Sequence, residues 1–252
     1  MNKIALVTGA TAGIGKAVAI KLASLGFNII ITGRRIDRLE EIKNEIVVKY
    51  SKEVFTLNFD VRNKSEAIKQ IEQLPKRWKN IDLLVNNAGL AAGLGTIQEG
   101  DMEDWEQMID TNIKGLLYMT RAISPLMIER KKGQIINIGS IAGKEVYPNG
   151  AVYCSTKHAV DALNKGMRID MVEYGIKVSA IHPGMVNTEF STVRFHGDKE
   201  KADAVYEGLI PLYAEDIADA VEFMVTRPAH VNINDMVIMP TAQATATVIV
   251  RK

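Results

Sequence analysis

The sequence lacks several features that would assign it to particular classes of protein. Its 252 residues contain one cysteine, Cys154, so it can form neither an intrachain disulfide nor a cysteine metal cluster, and we expect no metal site. It has no run of about 18 apolar residues, so we expect no transmembrane helix. Lysine plus arginine number 31 against 30 for aspartate plus glutamate, which leaves a net charge of +1 and predicts no broad basic surface for nucleic acid.

What remains is the composition of an ordinary globular protein. Hydrophobic residues make up 47% of the chain and charged residues 24%, which is typical of one medium-sized domain over residues 1–252. The first residues show no signal-peptide pattern, because the apolar run at 4–7 is short and glycines follow it at once. With the lone cysteine, this favours a cytoplasmic protein.

Apolar strands and amphipathic helices alternate along the chain. The predicted strands cover residues 3–8, 28–32, 54–59, 81–85, 133–138, 177–182 and 236–239. The predicted helices cover residues 15–25, 36–50, 64–73, 101–130, 151–174 and 214–226. Strands this apolar, separated by helices, predict an α/β fold: a single-domain, Rossmann-like, doubly wound parallel sheet with helices on both faces. Such sheets bind ligands at the carboxyl ends of their strands.

A glycine-rich turn, TGATAGIG, follows the first predicted strand and contains Gly9, Gly13 and Gly15. It departs from the G-x-G-x-x-G fingerprint, because Thr11 and Ile14 stand where the second and third glycines would be. Backbone N–H groups and the helix dipole at such a position favour an anionic phosphate. The sequence alone leaves open an ordinary glycine-rich turn without a ligand.

The end of the second predicted strand carries arginine where an acidic residue would select NAD. The strand ends in Gly33, Arg34 and Arg35, and the nearest acidic residue is Asp37. An acidic side chain at this point binds the 2′-hydroxyl of NAD, whereas arginine accommodates the 2′-phosphate of NADP. NADP is therefore the predicted cofactor, unless the two arginines only flank a solvated helix start.

A tyrosine and a lysine four residues apart, Tyr153 and Lys157, share one face of a predicted helix. Free tyrosine has a pKa of about 10, and a nearby ammonium lowers it toward the range of a useful base. Such a pair is also common on helix surfaces. Ser140 lies at a strand end and Asn112 within a predicted helix, where either could hold a reacting group or simply cap a turn and mark a kink.

Together these motifs resemble the short-chain dehydrogenase/reductase family. The motifs in that family's order and spacing are TGATAGIG, NNAG at 86–89, Asn112, Ser140, YxxxK at 153–157 and PG at 183–184. The resemblance covers residues 8 to about 188. It implies an NAD(P)-dependent oxidoreductase with one Rossmann domain, often a tetramer.

The resemblance also implies roles for four residues as the catalytic set. Tyr153 would be the general acid/base, and Ser140 would hydrogen-bond the same substrate oxygen. Lys157 would lower the pKa of Tyr153 and hold the nicotinamide ribose, and Asn112 would support a water that relays protons to Lys157.

Cofactor contacts are expected along the strand ends. Asp60 would contact adenine, and residues 183–188 would hold the nicotinamide. The expected cofactor-binding residues are Gly9, Thr11, Gly13, Ile14, Gly15, Arg34, Arg35, Asp60, Val61, Asn86, Asn87, Ala88, Gly89, Tyr153, Lys157, Pro183, Gly184, Val186 and Thr188.

Two longer segments resemble a narrower group, the NADP-dependent 3-hydroxy acid dehydrogenases. They are TEFSTVRFHGD and RPAHVNINDMVIMPT. The substrates implied are serine, allo-threonine, 3-hydroxyisobutyrate, 3-hydroxypropionate or the matching semialdehyde. Two alternatives stay open: an NADPH-dependent carbonyl or 3-oxoacyl reductase, and a non-catalytic NADP-sensing module.

The C-terminal part of the chain carries the remaining expectations. A substrate lid is expected at about 188–212, with Arg194 as the candidate partner of a substrate carboxylate, although that arginine could face solvent or pair with Glu189. The tail at 240–252 carries apolar residues without a helix pattern, and we expect it at the subunit interface of a homotetramer.

Overall fold

The computed structural model describes residues 3–252, so Met1 and Asn2 lie outside the described part of the chain. In residues 3–252, seven parallel strands form one sheet in the order β3-β2-β1-β4-β5-β6-β7. The strands are β1 (Ile4–Val7), β2 (Asn28–Gly33), β3 (Val54–Asn58), β4 (Ile81–Asn86), β5 (Gly133–Ile138), β6 (Ile176–Pro183) and β7 (Asp235–Ile238). The predicted doubly wound sheet is confirmed.

Helices cover both faces of this sheet. They are α1 (Gly13–Ser24), α2 (Ile36–Tyr50), α3 (Lys64–Glu72), α4 (Met102–Ile109), α5 (Leu116–Glu129), α6 (Ala151–Met171), α7 (Phe190–Arg194), α8 (Lys199–Ala204) and α9 (Ala214–Val225). One hydrophobic core lies between the sheet and α1, α2 and α9, and a second lies between the sheet and α3, α5 and α6.

The strand β2 shows why the sheet is buried on both sides. Ile29 and Ile31 point into the first core and Ile30 points into the second, and all three are fully buried. Successive side chains of a strand face opposite ways, so a strand that is apolar at every position needs cover on both faces.

The topology fixes where a ligand can bind. Strand β1 pairs with β2 on one side and with β4 on the other, so the chain reverses its direction of winding at β1. The loops after β1 and β4 therefore leave toward opposite faces and open a crevice at the carboxyl ends of the strands.

The predicted helical region 101–130 contains two helices, α4 and α5. A wide, π-helical turn at Asp110–Gly115 joins α4 to α5, and Asn112 lies within it. A Cβ at Gly115 would lie 2.8 Å from Val61 Cγ2, so the glycine lets this turn approach the loop after β3. Wide turns of this kind displace one residue from the regular helical ladder.

Residues 187–212 form a segment between β6 and α9 that extends away from the sheet, and we call it the excursion. Val186 and Leu212 form a bridge at the base of this excursion, which contains α7 and α8. The chain end folds back onto the same excursion, since the Lys252 N–H donates to the Gly208 carbonyl at 2.9 Å. None of the helices in residues 3–252 has the length and apolar character needed to cross a membrane.

Candidate active site

One large cleft opens at the carboxyl ends of the central strands. The residues expected from the sequence that line it are Gly9, Thr11, Gly13, Ile14, Arg34, Arg35, Asp60, Val61, Asn87, Ala88, Gly89, Ser140, Tyr153, Lys157, Pro183, Gly184, Val186 and Thr188. Gly15, Asn86, Asn112 and Arg194 do not line it. The cleft therefore brings the glycine turn, the arginines and the tyrosine–lysine pair into one continuous space.

The glycine turn forms a close backbone cradle at the start of α1. Gly9 has φ +64°, and a Cβ there would lie 2.8 Å from Ala88 Cα. Gly13 has φ +50°, and its Cβ would lie 3.1 Å from Thr188 Cβ. The N-cap residue of α1, Ala12, supplies no side-chain hydrogen bond, so the first N–H groups of this helix face the cleft without a cap. Unpaired N–H groups at a helix N-terminus favour a phosphate.

Gly15 lies beneath this turn rather than on the cleft. A Cβ at Gly15 would lie 2.3 Å from the Gly9 carbonyl oxygen and 2.4 Å from Asn87 Nδ2. The glycine therefore lets α1 pack closely against the turn.

The two asparagines at the end of β4 face opposite ways. Asn86 is buried, and its amide donates to Thr120 Oγ1 at 3.0 Å and to Asn137 Oδ1 at 2.9 Å. It therefore braces the sheet, whereas the sequence predicted that it would line the cleft. Asn87 lines the cleft, and its backbone N–H donates to Thr8 Oγ1 at 3.0 Å. Thr8, which sequence reasoning missed, thus ties this loop to the end of β1.

The two arginines stand at the end of β2, both with about half of the side chain exposed. Arg34 Nη1 lies 3.8 Å from Asp60 Oδ2. Arg35 donates to Thr11 Oγ1 at 3.0 Å through Nη2 and pairs with Glu189 Oε2 at 2.8 Å. Arg35 therefore spans the cleft from the glycine turn to the start of the excursion.

Asp60 is held as an acceptor at the same end of the cleft. Burial acts to raise its pKa, but hydrogen bonds from Arg62, at 2.7 and 3.0 Å, outweigh burial and lower that pKa. A carboxylate fixed in this way can accept a hydrogen bond from a ligand at neutral pH.

Tyr153 and Lys157 lie one turn apart on α6, beside the end of β5. The Lys157 ammonium donates to the Ile138 carbonyl at 3.0 Å and lies 6.0 Å from the centroid of the Tyr153 ring. Ser140 Oγ accepts from the Ala142 N–H at 3.1 Å. That bond uses a lone pair of the serine oxygen and leaves its own hydrogen to donate.

Burial dominates the protonation of the tyrosine–lysine pair. It raises the pKa of Tyr153 above the value of free tyrosine, with Tyr147 adding to the effect and Ser140 and Arg194 opposing it. It lowers the pKa of Lys157 to about 8. At Tyr153 burial outweighs the neighbouring positive charge, because a phenolate is costly away from water.

Asn112 stands behind the cleft wall. Its amide donates to the Leu90 carbonyl at 2.8 Å and to Thr156 Oγ1 at 3.0 Å, and its Oδ1 accepts from the Leu90 N–H at 2.9 Å. A Cβ at Gly89 would lie 3.2 Å from that Oδ1 and 3.5 Å from Lys157 Nζ. The side chain thus binds backbone directly and ties the loop after β4 to α6.

Arg194 approaches the tyrosine from the excursion. Its guanidinium carbon lies 5.7 Å from the centroid of the Tyr153 ring, and it donates to the Tyr147 hydroxyl at 3.0 Å and to the Gly93 carbonyl at 3.4 Å. It therefore does not pair with Glu189, which Arg35 holds. Phe190 packs edge-on to the tyrosine at 5.8 Å. Tyr147 and Phe190 were missed: Tyr147 lies in an irregular loop, and Phe190 lies in the TEFSTVRFHGD segment, where the sequence does not show which side chains face the tyrosine.

Comparisons with known proteins agree with this arrangement. The model of the short chain dehydrogenase family matches residues 3–199. The chain is 48% identical over 244 residues to the NADP-dependent 3-hydroxy acid dehydrogenase YdfG of Salmonella typhi, covering 96% of this chain and 97% of that one. It is 43% identical to an NADP-dependent 3-hydroxy acid dehydrogenase of Schizosaccharomyces pombe, over 100% of this chain and 97% of that one. The closed form of serine dehydrogenase complexed with NADP+ superposes with a TM-score of 0.93 at 46% identity, over 99% of both chains.

Proposed function

The chain belongs to the short-chain dehydrogenase family, and we propose that it transfers a hydride between NADP and a small 3-hydroxy acid. The observation that carries the proposal is the single cleft. One end holds the uncapped start of α1 and the two adjacent arginines, Arg34 and Arg35, and the other end holds Tyr153, Ser140 and Lys157. The substrate class rests on relatives whose names specify 3-hydroxy acids and serine.

The described residues fit a dinucleotide with a 2′-phosphate. The cradle at Gly9 and Gly13 leaves room that a side chain would fill, and the unpaired N–H groups of α1 suit a pyrophosphate. Arg34 and Arg35 suit the 2′-phosphate, and Asp60 suits an amine or N–H donor of the adenine.

Replacing Arg34 and Arg35 together by alanine should weaken NADP+ binding about 100-fold, because each charge-assisted contact contributes about 1.5 kcal/mol or more. NAD+ binding should change by less than about threefold, since NAD+ has no 2′-phosphate. Fluorescence titration with NADPH and NADH, which differ from each other by the same 2′-phosphate, measures the two effects. The matched control is Arg38→Ala, which removes an exposed arginine that pairs with Glu41 on α2. Equal losses for the two cofactors would mean that the arginines do not read the 2′-phosphate.

The side chains of the site supply the proton chemistry. NADP+, when bound, supplies the nicotinamide ring that accepts a hydride. The Tyr153 oxygen takes the proton of the C3 hydroxyl as C3 loses the hydride and becomes a carbonyl carbon. Ser140 keeps its hydrogen free to donate to the same substrate oxygen, and Lys157 lies beside the tyrosine ring. The reverse steps reduce a semialdehyde.

Arg194 is the proposed partner of the substrate carboxylate. Its guanidinium lies against the Tyr153 ring, so a three-carbon acid with its hydroxyl at the tyrosine would place its carboxylate near the arginine. A forked guanidinium matches a carboxylate through two parallel hydrogen bonds. Residues 188–212 would act as a lid, because they carry the arginine and close over this end of the cleft.

The test of the proposed function is NADPH formation by the purified protein with NADP+ and matched substrates. The acids are both serine enantiomers, both allo-threonine enantiomers, 3-hydroxyisobutyrate and 3-hydroxypropionate, and the control is propan-1-ol, which has the carbon chain of the last acid without its carboxylate. Turnover confined to the acids supports the proposal. Turnover of simple alcohols or ketones in preference to the acids would support a carbonyl or 3-oxoacyl reductase, and cofactor binding without turnover would support a sensing module.

We also propose that the protein is a cytoplasmic homotetramer. Ile169 and Val172 at the end of α6 are exposed by 76% and 68%, and Val248 and Val250 in the tail are exposed by more than half. Exposed apolar side chains of this size are typical of subunit interfaces. Light scattering should give four times the chain mass of 27.8 kDa, and a monomer would contradict this assembly.

A further inference from the structure

A cluster of charged side chains lies directly beneath the catalytic end of the cleft. Asp161, His182 and Asp235 place ligand atoms within 4.8 Å of one another, and these are residue types that bind metals. Lys144 already bonds both carboxylates, at 2.7 Å to Asp161. Its ammonium supplies the cation that such a cluster needs, and Lys165 adds a second bond to Asp161 at 2.7 Å. The cluster is thus an internal ion network.

His182 is the member of this network that faces the active site. Its side chain is completely buried, and its Nδ1 lies 3.2 Å from the Ser140 carbonyl oxygen. Its Nε2 lies 2.8 Å from Asp235 Oδ1 but makes no well-directed hydrogen bond to the residues that the structure describes. The ring therefore bonds through Nδ1, whose hydrogen the Ser140 carbonyl accepts. A Cβ at Gly139 would lie 2.4 Å from Nδ1, so the ring also packs flat against the backbone before Ser140.

Three consecutive residues at the end of β5 are each held by a different partner. The Ile138 carbonyl accepts from Lys157 Nζ at 3.0 Å, the Gly139 N–H donates to the Ile181 carbonyl at 2.7 Å, and the Ser140 carbonyl is bound by His182. Past Gly139 the strand ladder has ended, and the Ser140 carbonyl has two partners, the Gly143 N–H at 2.8 Å and the imidazole at 3.2 Å. The imidazole is the side chain that joins this carbonyl to β6.

The ion network connects this contact to the helix that carries the tyrosine. Asp161 is one turn after Lys157 on α6, and Lys144 joins it to Asp235 on β7, next to His182 on β6. The positions of Ser140 and Tyr153 are therefore set by one connected group of charges, although the two lie on different elements.

We propose that His182 is a positioning residue that holds the Ser140 hydroxyl in line with Tyr153 and the substrate oxygen. The inference rests on the proposed function. Because the hydroxyl must meet a developing charge within a fraction of an ångström, loss of the imidazole contact with the Ser140 carbonyl lowers turnover while leaving the cofactor cradle and the arginines untouched. Asp161, Asp235 and Lys144 surround the opposite edge of the ring, at Nε2.

Two amide substitutions separate the two contacts of the ring. In His182→Asn, the amide nitrogen takes the place of Nδ1 and can still donate to the Ser140 carbonyl. In His182→Gln, the amide reaches the place of Nε2, near Asp235, and loses the Ser140 contact. We expect kcat within about threefold of wild type for asparagine and about 10-fold lower for glutamine. The KM for the substrate and the dissociation constant of NADPH should stay within about twofold for both.

A double-mutant cycle with Ser140→Ala tests whether the histidine acts through the serine. Once the hydroxyl is gone, His182→Gln should lower the remaining kcat by less than about twofold. If the two substitutions lower kcat independently, so that their effects multiply in the double variant, the inference is overturned. It is also overturned if His182→Asn and His182→Gln have equal kcat values and these follow the Tm of each variant. The cycle is measured with whichever substrate the wild type oxidises. A wrong substrate class would therefore be detected by the test of the proposed function and would leave this cycle valid. Absence of turnover with every substrate would overturn both proposals.

Discussion

Replacing Tyr153 by phenylalanine should lower kcat about 1,000-fold, because the variant loses the only hydroxyl that the proposed mechanism uses to take the substrate proton. The Michaelis constant and the dissociation constant of NADPH should change by less than about threefold, since the aromatic ring keeps its contact with Phe190. Steady-state NADPH formation and fluorescence titration measure these quantities.

The variant should fold as well as the wild type. The Tyr153 hydroxyl is held in a buried site that raises its pKa, so its removal costs no favourable charge. The matched control is Tyr174→Phe, in the short turn after α6 and away from the cleft, which should keep full activity. A Tyr153→Phe enzyme with more than about a tenth of wild-type kcat would show that another group takes the proton.

Replacing Arg194 by alanine should raise the KM for 3-hydroxy acids about 100-fold, the effect of losing a forked ion pair in a partly buried site. The kcat/KM for propan-1-ol or for a ketone should change by less than about threefold, because these substrates have no carboxylate. Loss of both activities to the same degree would mean that the arginine only supports Tyr147 and the fold of the excursion.

The same arginine should also set the pH dependence. Arg194 lowers the pKa of Tyr153, although burial keeps that pKa raised overall. Oxidation requires the deprotonated oxygen, so its rate rises as the pH approaches this pKa. Loss of the positive charge raises the pKa further, and the alkaline limb of the rate profile should move to higher pH in Arg194→Ala. Arg194→Lys keeps the charge and should restore the limb while leaving the KM raised, because an ammonium lacks the fork.

The fold and much of the site could be predicted because their signals are local. Strands such as Asn28–Gly33, with three consecutive isoleucines, specify burial on both faces without knowledge of their neighbours. The glycines, the arginines at the end of β2 and the Tyr153–Lys157 pair each lie within a few residues of an element boundary. Their chemical roles can therefore be predicted from their spacing along the sequence, and the topology brings them together at the carboxyl ends of the strands.

What could not be predicted depends on orientation or on contacts between distant segments. Asn86 and Asn87 are adjacent and of one type, yet only the position of the β4 end decides which of them faces the cleft. The contact of His182 with Ser140 joins residues 42 positions apart, and no periodicity records it. The raised pKa of Tyr153 likewise depends on how deeply the side chain is buried, which spacing does not contain.

The fate of the hydrogen on C3 shows whether the protein transfers a hydride from a 3-hydroxy acid to NADP+. Purified protein would be given NADP+ and 3-hydroxypropionate deuterated at C3, and the NADPH formed would be analysed by mass spectrometry, with propan-1-ol deuterated at C1 as the control. We expect one deuterium in each NADPH formed from the acid, slow formation from the alcohol, and formation about 1,000-fold slower with Tyr153→Phe. Unlabelled NADPH, or faster transfer from the alcohol than from the acid, would contradict the proposed function.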